Sequence, residues 1–124
     1  ITRIAGRTPV PERESLTELA SHHSTLCIFL SVNFIAEVVA DLTAAGLSED
    51  TPVAVVARAS WSDEKIIRGT LKNIAALVTA ENIDRTALII VGDCLNRRYQ
   101  NSQLYSPNFS RGFRHAKEVF DGQL

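Results

Sequence analysis

A chain of 124 residues with 45% hydrophobic and 22% charged side chains has the size and balance of one folded domain. Its net charge of −1 provides no broad field to gather nucleic acid or an acidic membrane surface. No apolar run approaches the roughly 20 residues of a membrane-spanning helix, and Cys27 and Cys94 lie too far apart for a CxxC metal or redox site.

The chain opens in a short strand, residues 1–5, already under way at Ile1. With no methionine present, it reads as a fragment whose preceding residues are missing. One glycine and two prolines within GRTPVP, 6–11, mark a loop. A short helix is predicted over 14–20, with Leu16, Leu19 and Ala20 on one face. TLCIFLS, 25–31, is apolar and β-prone and reads as a buried strand in which Cys27 is a small hydrophobe. Asn33 is placed to cap the next helix, where Ile35, Val38, Val39, Leu42 and Ala45 recur at helical spacing and Gly46 supplies the stop.

Residues 52–60 form a nearly continuous run of small and β-branched side chains, the pattern of a strand buried on both faces. The turn 61–64 is too short for a crossover helix, so the strand 65–69 must return antiparallel and the sheet is mixed. Thr70 is placed to cap a helix carrying Leu71, Ile74, Ala75, Leu77 and Val78 inward. The last core strand is 86–91, closed by Gly92; a polar stretch and a short helix near 111–120 follow. The order β-α-β-α-β-β-α-β predicts a three-layer α/β domain over 1–124, with 93–124 as a C-terminal extension.

Several chemistries find no motif. The chain has neither GxGxxG nor GxxxxGK[ST], no GxSxG elbow and no HExxH. His22, His23 and His115 read as surface residues. Trp61, Asp63 and Glu64 form the central turn, equally suited to covering a sheet end and to bordering the ligand crevice that strand ends form in α/β sheets. Arg97, Arg98, Arg111 and Arg114 are interleaved with Tyr99, Tyr105, Phe109 and Phe113, a combination able to hold a polycarboxylate or a nucleic-acid strand, and the balanced net charge argues against the strand.

Four stretches resemble one known family: GRTPVPE (6–12), TLCIFLS (25–31), EDTPVAVVARASWSDEKIIRGTL (49–71) and SQLYSPNFSRGFR (102–114). Together they are similar to the C-terminal domain of the precorrin-4 C11-methyltransferases, within the tetrapyrrole methylases. The strand, turn and strand of 49–71 are shared more widely in that family. Ser62, Gln103 and Arg111 depart from it, standing where proline, lysine and histidine are commoner.

The resemblance implies a two-domain cytoplasmic enzyme of cobalamin biosynthesis, a homodimer, in which S-adenosyl-L-methionine lies between an N-terminal domain absent here and this five-stranded mixed sheet. By position it implies donor contacts at Leu30, Ala59, Thr86 and Ala87, each of which also suits plain core. Arg111 and Arg114 become candidate partners for the carboxylates of a precorrin-4 tetrapyrrole substrate, with no metal ligand and no obvious general base in this half. Two other readings stay open: a tetrapyrrole methylase acting at another ring position, and a non-catalytic dimerisation or binding module of the same fold.

Overall fold

The computed structural model describes residues 1–96, 100–102, 106–108, 110, 112 and 115. Five strands form one sheet: β1 (Thr2–Arg3), β2 (Leu26–Phe29), β3 (Pro52–Ala57), β4 (Lys65–Thr70) and β5 (Ala87–Val91). The spatial order is β1-β2-β5-β3-β4. Among the described residues only β1 and β2 pair in parallel; β2 with β5, β5 with β3 and β3 with β4 are antiparallel. The hairpin argument for a mixed sheet therefore holds, and β4 runs one residue further than expected.

Three helices connect the strands: α1 (Leu16–Ala20), α2 (Ile35–Ala44) and α3 (Ile74–Ala80). Their buried residues, among them Leu16, Val38, Leu42, Ile74 and Val78, join one cluster with Leu26, Ile28, Val53, Val55, Ile67, Ile89 and Val91 of the sheet. Across the strands, Ile28, Ile89, Val55 and Ile67 stand in one register row on that covered face. The adjacent row, Cys27, Ile90, Ala54 and Arg68, points to the other face. Full burial of each large apolar side chain in the covered row is worth about 1.5–3 kcal/mol.

Among the described residues the fold thus has two layers where three are expected from element order. The reason is chirality. β1 and β2 run together, and so do β2 and β3, because both are antiparallel to β5. These two crossovers step in the same direction across the sheet. The third, from β4 to β5, reverses both strand direction and step. Right-handed crossovers then deliver all three helices to the same face.

Local signals explain where elements start and stop. Ser15 caps α1 by accepting the Glu18 N–H at 3.3 Å, after a 3₁₀ turn at Glu12–Glu14. At the end of α2, Gly46 adopts φ +96°. Its N–H reaches Thr43 O while the Leu47 N–H reaches Leu42 O, the paired bonds of a Schellman stop.

Four expectations are corrected. Asn33 caps nothing, because Val32–Phe34 forms a 3₁₀ turn that leads into α2. Thr70 ends β4 rather than capping α3, and its N–H is instead held by Asn73 Oδ1 at 2.8 Å. Leu77 is 37% exposed and lies over Gly69, whose missing side chain makes room for it. Cys27 is half-buried on the uncovered face rather than sealed in the core. The expected helix near 111–120 falls almost wholly outside the described residues.

Candidate functional site

Strand direction gathers the chemistry at one edge of the sheet. β2 and β3 both end where β5 begins: Ala57 pairs with Ala87, and Ile28 with Ile89 two residues before Leu30. A cleft of about 540 Å³ opens there. Leu30, Ala59, Thr86 and Ala87, drawn from three separate segments, all line it. Phe29, Val56 and Leu88 continue the lining onto the helix-free face. Leu30 is 70% exposed, Ala59 and Thr86 are exposed, and Ala87 is half-buried. For the first three, plain core is therefore not the explanation.

The rim is made by breaking strand geometry. Leu30, Arg58, Ser60 and Thr86 have φ values of +55°, +49°, +65° and +53°. Non-glycine residues seldom adopt this left-handed region, and Thr86, branched at Cβ, least of all. Each such residue costs of order 1–3 kcal/mol and persists only where its surroundings fix it. The turn also shortens β3, which ends at Ala57 instead of reaching Ser60 as the apolar run suggests.

Named contacts do the fixing. The Arg58 N–H donates to Thr86 O at 2.8 Å, joining two left-handed residues across the strand ends. Ser31, fully buried, accepts the Ile4 N–H at 2.9 Å and donates its hydroxyl to Phe29 O at 2.7 Å, which ties the Leu30 bend to the chain just after β1. Within the turn, Trp61 N–H reaches Arg58 O, Glu64 N–H reaches Trp61 O, and the Glu64 carboxylate accepts the Ser60 N–H at 2.5 Å. Arg58 Nε stands 2.7 Å from Asp63 Oδ2 but off the hydrogen-bonding direction, so that contact is Coulombic. With the Asp63 side chain 63% exposed, the pair is worth no more than about 1 kcal/mol.

Two further lining residues carry charge. Arg85 grips the Asp84 carboxylate with Nε at 2.9 Å and Nη2 at 3.0 Å. That hydrogen bonding holds the Asp84 pKa below the usual carboxylate value and raises that of Arg85. Among the described lining residues these are the ionisable side chains, and each occupies the other. The cleft is suited to binding and aligning a largely apolar ligand rather than to moving a proton.

Sequence reasoning had reason to consider Trp61, which also lines the cleft. It missed Asp84, Arg85 and Ser31; a lone serine closing the apolar run TLCIFL was the one available signal for the last. Arg111 and Arg114 lie outside the described residues.

The chain is 54% identical over 121 residues to a cobalt-precorrin-4 C(11)-methyltransferase of Methanocaldococcus jannaschii, covering 97% of this chain and 47% of that protein. A solved cobalt precorrin-4 methyltransferase superposes with a TM-score of 0.70 at 47% identity, over 73% of this chain and 38% of the other. A uroporphyrin-III C-methyl transferase of Thermus thermophilus, solved with S-adenosyl homocysteine, matches at a TM-score of 0.61 over 77% of this chain and 40% of its own; at 20% identity it speaks for the fold alone. The chain spans about half the length of the curated relatives it matches. Those shares lend no support to the expectation that the spanned part is the C-terminal half. The sequence profile of the Tetrapyrrole (Corrin/Porphyrin) Methylases matches residues 1–75, and the chain belongs to that family.

Proposed function

We propose that this chain forms one wall of an S-adenosyl-L-methionine cleft in a methyltransferase that acts on a corrinoid precursor, methylating precorrin-4 at C11 in cobalamin biosynthesis. The rest of the protein supplies the opposing wall. The observation that carries this reading is the convergence of Leu30, Ala59, Thr86 and Ala87 on one cleft from three segments of the chain. The names of the M. jannaschii relative and of the solved cobalt precorrin-4 enzyme support the acceptor. The name of a Methanosarcina barkeri relative, an S-adenosyl-L-methionine-dependent uroporphyrinogen III methyltransferase 31% identical over 99 residues, supports the donor.

The lining fits such a donor. A thioether and an adenosine need an apolar floor, close main-chain approach and few polar groups. Leu30 and Ala59 supply the floor, and Thr86 with Ala87 supplies main chain at the start of β5. When bound, S-adenosyl-L-methionine supplies a methyl group already activated by its sulfonium. What these residues contribute is alignment and exclusion of water, which by themselves lower a two-reactant barrier substantially. Rigid placement of the rim by the Arg58 and Ser31 hydrogen bonds serves that role.

Arg111 and Arg114 are proposed to meet acceptor carboxylates. Alanine at either position is expected to weaken tetrapyrrole binding several-fold more than donor binding, since charge-assisted bonds to carboxylates are about twice as strong as neutral ones; equal loss of both ligands removes that role. We place residues 1–124 in a single domain with 93–124 as its extension, within a cytoplasmic homodimer. Sedimentation velocity of the complete protein reads the oligomer directly, and product analysis separates C11 from other ring positions.

The deciding experiment is calorimetric titration of S-adenosylhomocysteine into this chain and into the complete protein. Tight binding by the complete protein alone is the expected result. Equal binding by both means that this chain holds a whole site and overturns the shared cleft. Binding by neither removes the methyltransferase reading and leaves a non-catalytic module.

A further inference from the structure

We infer that Trp61 is a stacking platform for a flat conjugated ring held in the cleft, either the adenine of the donor or a pyrrolic ring of the acceptor. This rests on the methyltransferase reading above and adds a positioning and specificity residue to it. The largest side chain in the turn is 60% exposed and lines the cleft together with Leu30, 70% exposed, and Phe29, 44% exposed. An indole left this open forgoes most of the stabilisation that its burial would bring.

The turn's main-chain hydrogen bonds do not depend on the indole. Those from Trp61 N–H to Arg58 O at 3.0 Å and from Glu64 N–H to Trp61 O at 3.1 Å are ones that any residue at position 61 makes. Yet the backbone carrying it is fixed with unusual care. Left-handed residues at 58 and 60 precede it, the Glu64 carboxylate holds the Ser60 N–H, and Asp63 pairs with Arg58. A largely exposed indole on a turn that is strained and braced by other groups is positioned for something outside it. The ring's face is what an indole offers beyond apolar area. Offset stacking on another π-system gains about 0.5–1.5 kcal/mol over area burial. The ionic side chains of the lining, Asp84 and Arg85, occupy each other.

The test uses the complete protein and two variants, Trp61→Phe and Trp61→Leu. Calorimetry measures S-adenosylhomocysteine and uroporphyrin III, a stable planar tetrapyrrole, against each, with circular dichroism melting as a check on folding. Trp61→Leu is expected to bind one of the two ligands roughly three- to tenfold more weakly, while Trp61→Phe, which keeps a ring face, stays within about twofold of the parent. Loss confined to S-adenosylhomocysteine assigns the adenine; loss confined to the porphyrin assigns the pyrrolic ring. Unaltered binding of both ligands by Trp61→Leu overturns the platform while leaving the methyltransferase reading intact. So does an equal loss in the two variants, since apolar bulk or folding would then be the cause. If the parent protein binds neither ligand, the functional reading and this inference fall together.

Discussion

The same three strands behave in opposite ways at two places a few residues apart. In the covered row, Ile28, Ile89 and Val55 are 0% exposed, lie in ordinary extended backbone and pack against three helices. Two to four residues along the same strands, Leu30, Thr86 and Ala59 are exposed, and the first two are left-handed. The interior satisfies every local preference at once, so its geometry is relaxed and over-determined. The rim violates those preferences and depends on the interior to hold it. Stability and site geometry are therefore separate properties of neighbouring residues, and substitutions should be able to move one without the other.

Ile89→Ala tests the interior side of that contrast and should have the largest effect. Removing three carbons from a fully buried position between Ile28 and Val55 is expected to cost about 2–5 kcal/mol. Urea unfolding measures this, and S-adenosylhomocysteine affinity per folded molecule should be unchanged. A cost below about 1 kcal/mol means that the row is not sealed as described.

The contrast also governs what could be read from the sequence. Relaxed elements were legible: the apolar runs gave β2, β3 and β5, the period of Ile35, Val38 and Leu42 gave α2, and Gly46 gave its stop. The side of the sheet on which the helices pack was not, because alternation of elements says nothing of face until strand order and direction are known. Elements failed where side chains act on main chain. Residue type alone suggests Asn33 and Thr70 as helix caps, yet Val32–Phe34 already forms a 3₁₀ turn and Asn73 takes the Thr70 N–H. The apolar run suggests that β3 continues through Ser60, because nothing in the string VAVVARAS announces φ +49° and +65°.

The cleft residues divide along the same line. Leu30, Ala59, Thr86 and Ala87 came from resemblance to a family; composition and spacing alone gave them a core role, which exposure of the first three contradicts. Trp61 was approachable from physics, as an aromatic on a tight turn at a strand end. Asp84 and Arg85 offered no periodicity or motif, being adjacent residues in a loop whose significance depends on where β5 starts.

Thr86→Gly probes the rim with a smaller effect of opposite sign. Threonine at φ +53° stands in the left-handed region at a cost of order 1–3 kcal/mol, which glycine does not incur. Glycine in turn adds roughly 0.5–1 kcal/mol of backbone entropy to the unfolded chain. The difference leaves a net stabilisation of about 1 kcal/mol, readable in the same urea experiment. The hydrogen bond that Thr86 accepts from Arg58 uses the main-chain carbonyl and survives the change. Any effect on ligand affinity therefore comes from loosening the rim or losing the side chain, not from cutting that link. A more stable protein that binds S-adenosylhomocysteine more weakly is the outcome in which strain serves the site. If Thr86→Gly is instead destabilised, the threonine side chain makes interactions worth more than its backbone costs. The rim would then be held from the cleft side as well as from the core.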